Sequence, residues 1–288
     1  IDYPGFNLRM AAWLHRRGIP VIYYISPQVW AWKRSRVFRI RRYVDQMLVI
    51  LPFEKEFYAQ YGFDVTFVGH PLLDAIEGYE AASPGRDVLL QELSPDGKEV
   101  VALVPGSRQQ EVEAMLPVML GLVKAFPALH FIVSEASSLP AAIYDRLCAG
   151  VEVGRVRGRT YDLLRIARAA AVTSGTASLE TALFGVPEVI CYKGSKLSYM
   201  IARRIVRIKY IGLPNLILDQ PLIRELIQDE MNRDALIGET NRLLTDEEYR
   251  SKILAGLAGL RRALGGPGAS DRAAKAIRQY LDQKDAKS

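Results

Sequence analysis

The chain has 288 residues, 49% hydrophobic and 24% charged, which is enough for a sizeable core and too apolar for a disordered chain. Its longest uncharged stretch, residues 18–32, is broken by Pro20 and Pro27 and is shorter than the ~20 apolar residues a spanning helix needs. Two cysteines (Cys148, Cys191) and three scattered histidines (His15, His70, His130) exclude a disulfide framework and a zinc cluster and fit a reducing compartment. The net charge of +6 is unevenly placed. Lys33, Arg34, Arg36, Arg39, Arg41 and Arg42 form one basic window; Lys196, Arg203, Arg204, Arg207 and Lys209 form another. Neither window holds an acid, so the remainder is net acidic, and the two patches point to a phosphate-rich partner or an anionic surface.

In chain order, Ile1-Asp2-Tyr3-Pro4-Gly5 reads as a strand end entering a turn. With no initiator Met and no signal peptide, it predicts a fragment whose upstream part is missing. Apolar runs at 20–25, 46–51 and 65–68 predict strands. Between the last two, Phe53, Phe57, Tyr58 and Tyr61 recur at helical spacing, and Gly62 closes that helix. Strand, helix, strand at this rhythm predicts a parallel sheet. Residues 78–85 (GYEAASPG) read as a linker. The pattern restarts with a strand at 100–104 and a helical stripe from Val112 to Phe126, in which Pro117 predicts a kink or the true helix start. Further strands are expected at 129–133, 151–156, 169–173 and 189–192. From Pro221 onward the chain reads as mostly helical, broken at 265–268.

The prediction is an α/β fold of two Rossmann-like doubly wound domains. Residues 1–80 form an incomplete first domain, 86–264 a second, and 268–288 a helix packing back on the first. Ligands of such sheets sit at the carboxyl ends of the strands, so the loops facing a cleft between the domains should carry the chemistry.

Four segments qualify. In Val104-Pro105-Gly106-Ser107-Arg108-Gln109-Gln110-Glu111, Ser107 with Gln110 fits a capping box. The segment is either that cap beside a solvated arginine, or a phosphate site made by Arg108 and a helix N-terminus. In Thr173-Ser174-Gly175-Thr176-Ala177-Ser178-Leu179-Glu180, small residues leave room at a helix start that favours an anion. Glu180, one turn in, suits a ribose hydroxyl, or is an ordinary first-turn glutamate. Asp2 could act as general base or simply shape its Pro-Gly turn. The run YYISPQVWAWKRSRVFRIRR (23–42) sets aromatics before cations, which suits bases, a membrane interface, or a core cluster followed by a solvated face. His70 follows a strand and could face the cleft or serve structure.

Together, IDYPGFN (1–7), YYISPQVWAWKRSRV (23–37), LPFEKEFY (51–58), FVGHPLLD (67–74), LVPGSRQQEV (103–112), TSGTASLE (173–180) and LPNLILD (213–219) resemble the lipid-A-disaccharide synthase family, bacterial glycosyltransferases of the two-Rossmann-domain (GT-B) type. SGTASLE alone suggests only a nucleotide-sugar transferase; its combination with PGSR and SPQVWAWKRSR is specific. The family's opening SGExSGD-type segment is absent. The resemblance implies transfer of 2,3-diacylglucosamine from UDP-2,3-diacylglucosamine to 2,3-diacylglucosamine 1-phosphate (lipid X), giving a β-1′,6-linked disaccharide and UDP. It implies Asp2 as general base and an essential role for Arg108. It implies a donor site of Gly106, Ser107, Arg108, Ser174, Gly175, Thr176 and Ala177, with Glu180 on the ribose and Asn215 nearby. It also implies site places for His70, Trp32 and Arg36. Asp2 would deprotonate the acceptor 6-hydroxyl, and Arg108 with a helix N-terminus would stabilise the leaving pyrophosphate in place of a metal, with no cofactor. The resemblance further implies a homodimer and a peripheral place on the cytoplasmic face of the inner membrane. There Lys33, Arg34, Arg39, Arg41, Arg42, Arg203, Arg204 and Arg207 would meet anionic lipid. Two rivals are another UDP-sugar enzyme of the same fold, such as a UDP-N-acetylglucosamine 2-epimerase, and a nucleic-acid-binding module using residues 33–42. The second leaves the cleft loops without a task, so no nucleic-acid partner is expected.

Overall fold

The computed structural model describes residues 3–194 and 209–286. Asp2, Lys196, Arg203, Arg204 and Arg207 therefore lie outside the described residues. The described residues fall into two compact units, 3–80 with 261–286, and 81–194 with 209–260.

The first unit runs α1 (Pro4–His15), β1 (Ile22–Tyr24), α2 (Arg36–Tyr43), β2 (Gln46–Val49), α3 (Pro52–Ala59), β3 (Thr66–Phe67) and α4 (Pro71–Ala82). Three of these helices begin on a proline, whose fixed φ suits a first helical residue and whose missing N–H costs nothing there. The strands pair in parallel in the order β1-β2-β3, with Tyr23 opposite Met47 and Val49 opposite Phe67. The β1–α2 segment is held from below by a buried polar cluster. Tyr58 and Ser26 share a 2.7 Å hydroxyl contact, and Trp30 Nε1 donates to Glu54 at 3.2 Å. Glu54 also accepts the backbone N–H of Leu51 and of Ile50, at 3.0 and 3.2 Å.

The second unit contains α5 (Arg86–Leu93), β4 (Val100–Val104), α6 (Gln109–Met119), α7 (Gly121–Ala125), β5 (His130–Glu135), α8 (Ala141–Cys148), β6 (Gly154–Arg157) and α9 (Thr160–Ile166). It continues with β7 (Ala167–Thr173), α10 (Thr176–Leu183), β8 (Glu188–Tyr192), α11 (Leu213–Leu218), β9 (Glu225–Ile227), α12 (Arg233–Thr245) and most of α13 (Glu247–Ala263). Its six strands are parallel in the order β6-β5-β4-β7-β8-β9. A parallel sheet is covered on both faces, so its strands are near-continuous apolar runs; β4 is buried at all five positions. Val100, Ala102, Val104, Ala170 and Val172 pack on one face against Leu163, Leu164 and Ile166 of α9.

The last helix, α14 (Ala269–Asp285), returns to the first unit. Ala273 packs with Leu48 and Val68, flanked by Ile22, Tyr24, Ile50, Ala276 and Ile277. Its start is capped from afar: Asp74 accepts the N–H groups of Gly268, Ala269 and Ser270 at 2.6, 3.1 and 2.9 Å. Burial pushes the Asp74 carboxyl up, but these donors outweigh it and hold the group below the usual carboxylate range. Arg272 ties the preceding loop to the end of β3, donating to Val68, Pro267 and Gly266 carbonyls. Gly69 has φ +87°, and a Cβ there would lie 3.3 Å from the Leu264 carbonyl and collide with Arg272.

Several sequence expectations are corrected. α4 runs to Ala82, so helix occupies much of the expected linker, and only 83–85 separates it from α5. Pro117 lies inside α6 rather than starting it, and the interruption comes at Leu120, before α7. Residues 151–153 are not strand; β6 begins at Gly154. The region after Pro221 contains an unforeseen strand, β9, three residues long and led by Glu225. It pairs with β8 through Ile190 opposite Glu225, a register its own sequence does not announce.

Candidate active site

The chain leaves β4 toward β5 and β6 on one side, and leaves β7 toward β8 and β9 on the other. The loops after β4 and β7 therefore diverge at the switch point of the sheet, where a crevice opens. There they share a hollow of about 570 Å³ lined by Gly106, Ser107, Arg108, Ser174, Gly175, Thr176, Ala177 and Glu180. The ends of β5 and β6 complete the wall with Ser134, Ser137, Ser138 and Thr160.

Backbone geometry explains the glycines. Gly106 has φ +112°, and a Cβ would lie 2.7 Å from Glu111 Oε2 and 3.3 Å from Thr173 Cγ2. Gly175 has φ +127° and ψ −150°, a region essentially reserved for glycine, yet a Cβ there would meet nothing within 4 Å. Its surroundings are open, which is what a ligand approaching the start of α10 needs. Side chains around it turn away: Ser174 Oγ donates to the Ile211 carbonyl at 2.8 Å, and Ser178 Oγ to the Gly175 carbonyl at 2.8 Å. Neither α6 nor α10 has a side-chain cap, so both starts offer N–H groups and the positive end of a helix dipole. The expected Ser107–Gln110 capping box does not form. Arg108 is itself the N-cap in extended conformation, and α6 begins at Gln109.

Arg108 is 82% exposed at its side chain and pairs with Glu111 at 3.0 Å. An exposed pair of this kind is worth ~0.2–1 kcal/mol, whereas a charge-assisted bond from guanidinium to phosphate is worth ~1.5–3 kcal/mol. An anion entering the hollow would compete with Glu111 for Arg108. Glu180 is half-buried and accepts the Tyr161 hydroxyl at 2.8 Å. Burial pushes its carboxyl up, and that hydrogen bond pulls it partly back. A carboxylate cannot donate to phosphate, so Glu180 suits the hydroxyl-bearing part of a nucleotide.

Other predicted site residues lie elsewhere. Asn215 is only 1% exposed, and its amide is used internally: Nδ2 donates to the Ile223 carbonyl at 2.7 Å and to Glu225 at 2.9 Å, and Oδ1 accepts Ile223 N–H at 2.8 Å. It is a pin for the 211–225 segment, with its amide spent before any ligand arrives. Asn215 borders a different hollow of about 700 Å³ between β9, α12 and α13. Five acids (Glu225, Glu230, Glu239, Asp246 and Glu248) line it against three cations (Arg224, Arg242 and Lys252), so that hollow suits a pyrophosphate less well. His70 is buried in the first unit, its Nδ1 accepting Leu72 N–H at 3.2 Å; burial lowers its pKa to about 4 and keeps it neutral. Trp32 is exposed, with Lys33 and Arg36 over its ring at 4.6 and 5.1 Å, whereas Trp30 and Tyr23 are core. Val37 and Ile40 anchor α2 inward, leaving Lys33, Arg34, Arg39, Arg41 and Arg42 exposed.

Sequence reasoning missed the hydroxyl wall of the hollow. Ser134 and Thr160 share a 2.6 Å contact, and each stands at the carboxyl end of a strand or just after one. That position was the available signal. Tyr161 was missed too, since nothing local marks a tyrosine whose partner lies nineteen residues on.

The chain matches the family model described as lipid-A-disaccharide synthetase over residues 1–276. The lipid-A-disaccharide synthase of Geobacter sulfurreducens is 41% identical over 291 residues, covering 99% of this chain and 75% of that protein. That of Trichlorobacter lovleyi is 42% identical over 290 residues, covering 98% and 75%. Among solved structures, the UDP-GlcNAc 2-epimerase of Neisseria meningitidis bound to UDP-GlcNAc superposes with a TM-score of 0.62 at 13% identity, over 96% of this chain and 73% of that one. At that identity the likeness shows the fold alone, that of GT-B UDP-sugar enzymes. The chain belongs to the lipid-A-disaccharide synthase family and is a glycosyltransferase of lipid A biosynthesis.

Proposed function

We propose that the 570 Å³ hollow holds the UDP part of UDP-2,3-diacylglucosamine while the sugar is transferred to the 6-hydroxyl of 2,3-diacylglucosamine 1-phosphate. The observation that carries this reading is that the 106–108 and 174–177 turns, two helix starts without side-chain caps, line one hollow together with a guanidinium. As the bond to the anomeric carbon breaks, negative charge grows on the pyrophosphate. Fixed N–H dipoles meet that charge without reorganising, and Arg108, released from Glu111, adds a guanidinium, which lowers the barrier. Asp2, in the role its motif implies, takes the acceptor's proton, and attack from the face opposite UDP inverts the anomeric centre. Glu180 receives the ribose hydroxyls.

The exposed cations of α2, with Trp32 and Phe38 exposed among them, support docking on an anionic membrane surface at ~1 kcal/mol per cation. No helix among the described residues is long and apolar enough to cross a membrane. In a homodimer that exchanges C-terminal segments, α14 would trade its contacts with Leu48 and Val68 for the same contacts on a second copy.

The test is to incubate the full-length protein with both lipid substrates and detect the disaccharide by mass. UDP should appear only when the lipid acceptor is present. UDP release, or epimerised UDP-sugar, without acceptor would contradict the reading.

A further inference from the structure

We propose that Tyr161 is a positioning residue for the donor: its phenol fixes the Glu180 carboxylate in the attitude that receives the ribose hydroxyls. The inference rests on the reading above, that the hollow takes UDP and Glu180 its ribose.

Tyr161 stands on the first turn of α9, and Glu180 on α10. The phenol donates to Glu180 Oε1 at 2.8 Å, and the tyrosine ring lies against Phe184 with centroids 5.0 Å apart. Thr160, the residue before it, lines the hollow together with Glu180 and contacts Ser134. The ring is thus braced by Phe184, and the phenol reaches the carboxylate from outside the lining of the hollow. Burial, then the Glu180 charge, raise the Tyr161 pKa above the usual phenol range, so it stays a donor.

An ionised carboxylate accepts up to about four hydrogen bonds. Tyr161 takes one site on Oε1, which leaves Oε2 for a ligand donor. A vicinal diol presents two such donors side by side. An unrestrained glutamate loses rotamer freedom when it binds; one already held does not, so the phenol strengthens ribose binding without touching the ligand. Donation from Tyr161 also favours the charged form of a half-buried carboxyl.

The test compares binding of UDP and 2′,3′-dideoxy-UDP to the full-length protein by titration calorimetry. The wild type should prefer UDP. In Tyr161→Phe, which keeps the ring against Phe184, UDP should weaken about 5–10-fold while dideoxy-UDP is unchanged, so the preference shrinks by that factor. Donor KM should rise more than kcat falls. An unchanged preference, or equal weakening of both nucleotides, would overturn the positioning role. Glu180→Gln separates the underlying reading: if it leaves the preference intact, or the wild type shows none, Glu180 does not hold the ribose and both inferences fall.

Discussion

In the first unit, three helix starts, those of α3, α4 and α14, are closed by the unit's own side chains, while α1 and α2 have no side-chain cap. Glu54 accepts the N–H groups of Ile50 and Leu51 at the start of α3, His70 accepts Leu72 N–H at α4, and Asp74 accepts three N–H groups at α14. In the second unit, the starts of α6 and α10 carry no side-chain cap and line a hollow with a largely exposed arginine. Donors of the same kind are thus spent on stability in one place and, on the proposed reading, serve an anion in the other. On the proposed reading, Arg108 stands at the N-cap of α6 where a serine or aspartate would make a better cap.

The contrast predicts which property each substitution disturbs. The largest effect is expected from Arg108→Ala, which removes a charge-assisted donor from the leaving group. Disaccharide formation should fall about 10²–10³-fold with the melting temperature unchanged. Full activity would remove Arg108 from the chemistry.

The next effect is on stability. Burial raises the Glu54 pKa to about 7 from an ordinary 4.5, against the pull of the Leu51, Trp30, Ile50 and Ser26 donors. A carboxyl whose folded pKa is raised holds its proton longer when native. Stability is therefore lost as pH rises from 4.5 to 7, by up to about 3 kcal/mol. Glu54→Gln should flatten that slope in denaturant titrations; an unaltered slope would show that Glu54 titrates normally.

Gly175→Ala sharpens the contrast at an open start. Forcing a Cβ onto φ +127° should cost ~1–3 kcal/mol or shift the turn, so both UDP affinity and melting temperature should fall. The smallest effect belongs to Asp74→Ala, which should cost ~1 kcal/mol of stability and leave UDP affinity alone. The Asp74 pKa is depressed, so the contribution is present above the ordinary 3.8 and fades as pH falls below it. Weaker UDP binding in that variant would blur the division between closed and open starts.

Much of this was legible in the sequence. β4 shows itself as an uninterrupted apolar run, and PGSR and SGTASLE stand after strands, where doubly wound folds place ligands. What escaped depended on partners distant in the chain. Asn215 looked like a donor-site residue, but its amide is claimed by Ile223 and Glu225, whose approach follows from β9 pairing with β8. His70, which follows a strand and could face the cleft or serve structure, takes the structural part: Gly69 makes room for Arg272, His70 accepts Leu72 N–H, and Pro71 opens α4. Ser134 and Thr160 carry no motif, and only the stacking of strand ends brings them to the hollow; Tyr161 carries none either and reaches Glu180 from behind the lining.

The central claim, that open helix starts in the second unit grip UDP, is tested most directly by amide hydrogen exchange of the full-length protein with and without UDP. Protection should rise at the amides opening α6 and α10, residues 107–110 and 175–178. Protection confined to the hollow bordered by Tyr210, Arg242 and Tyr249, or no change at either helix start, would contradict it.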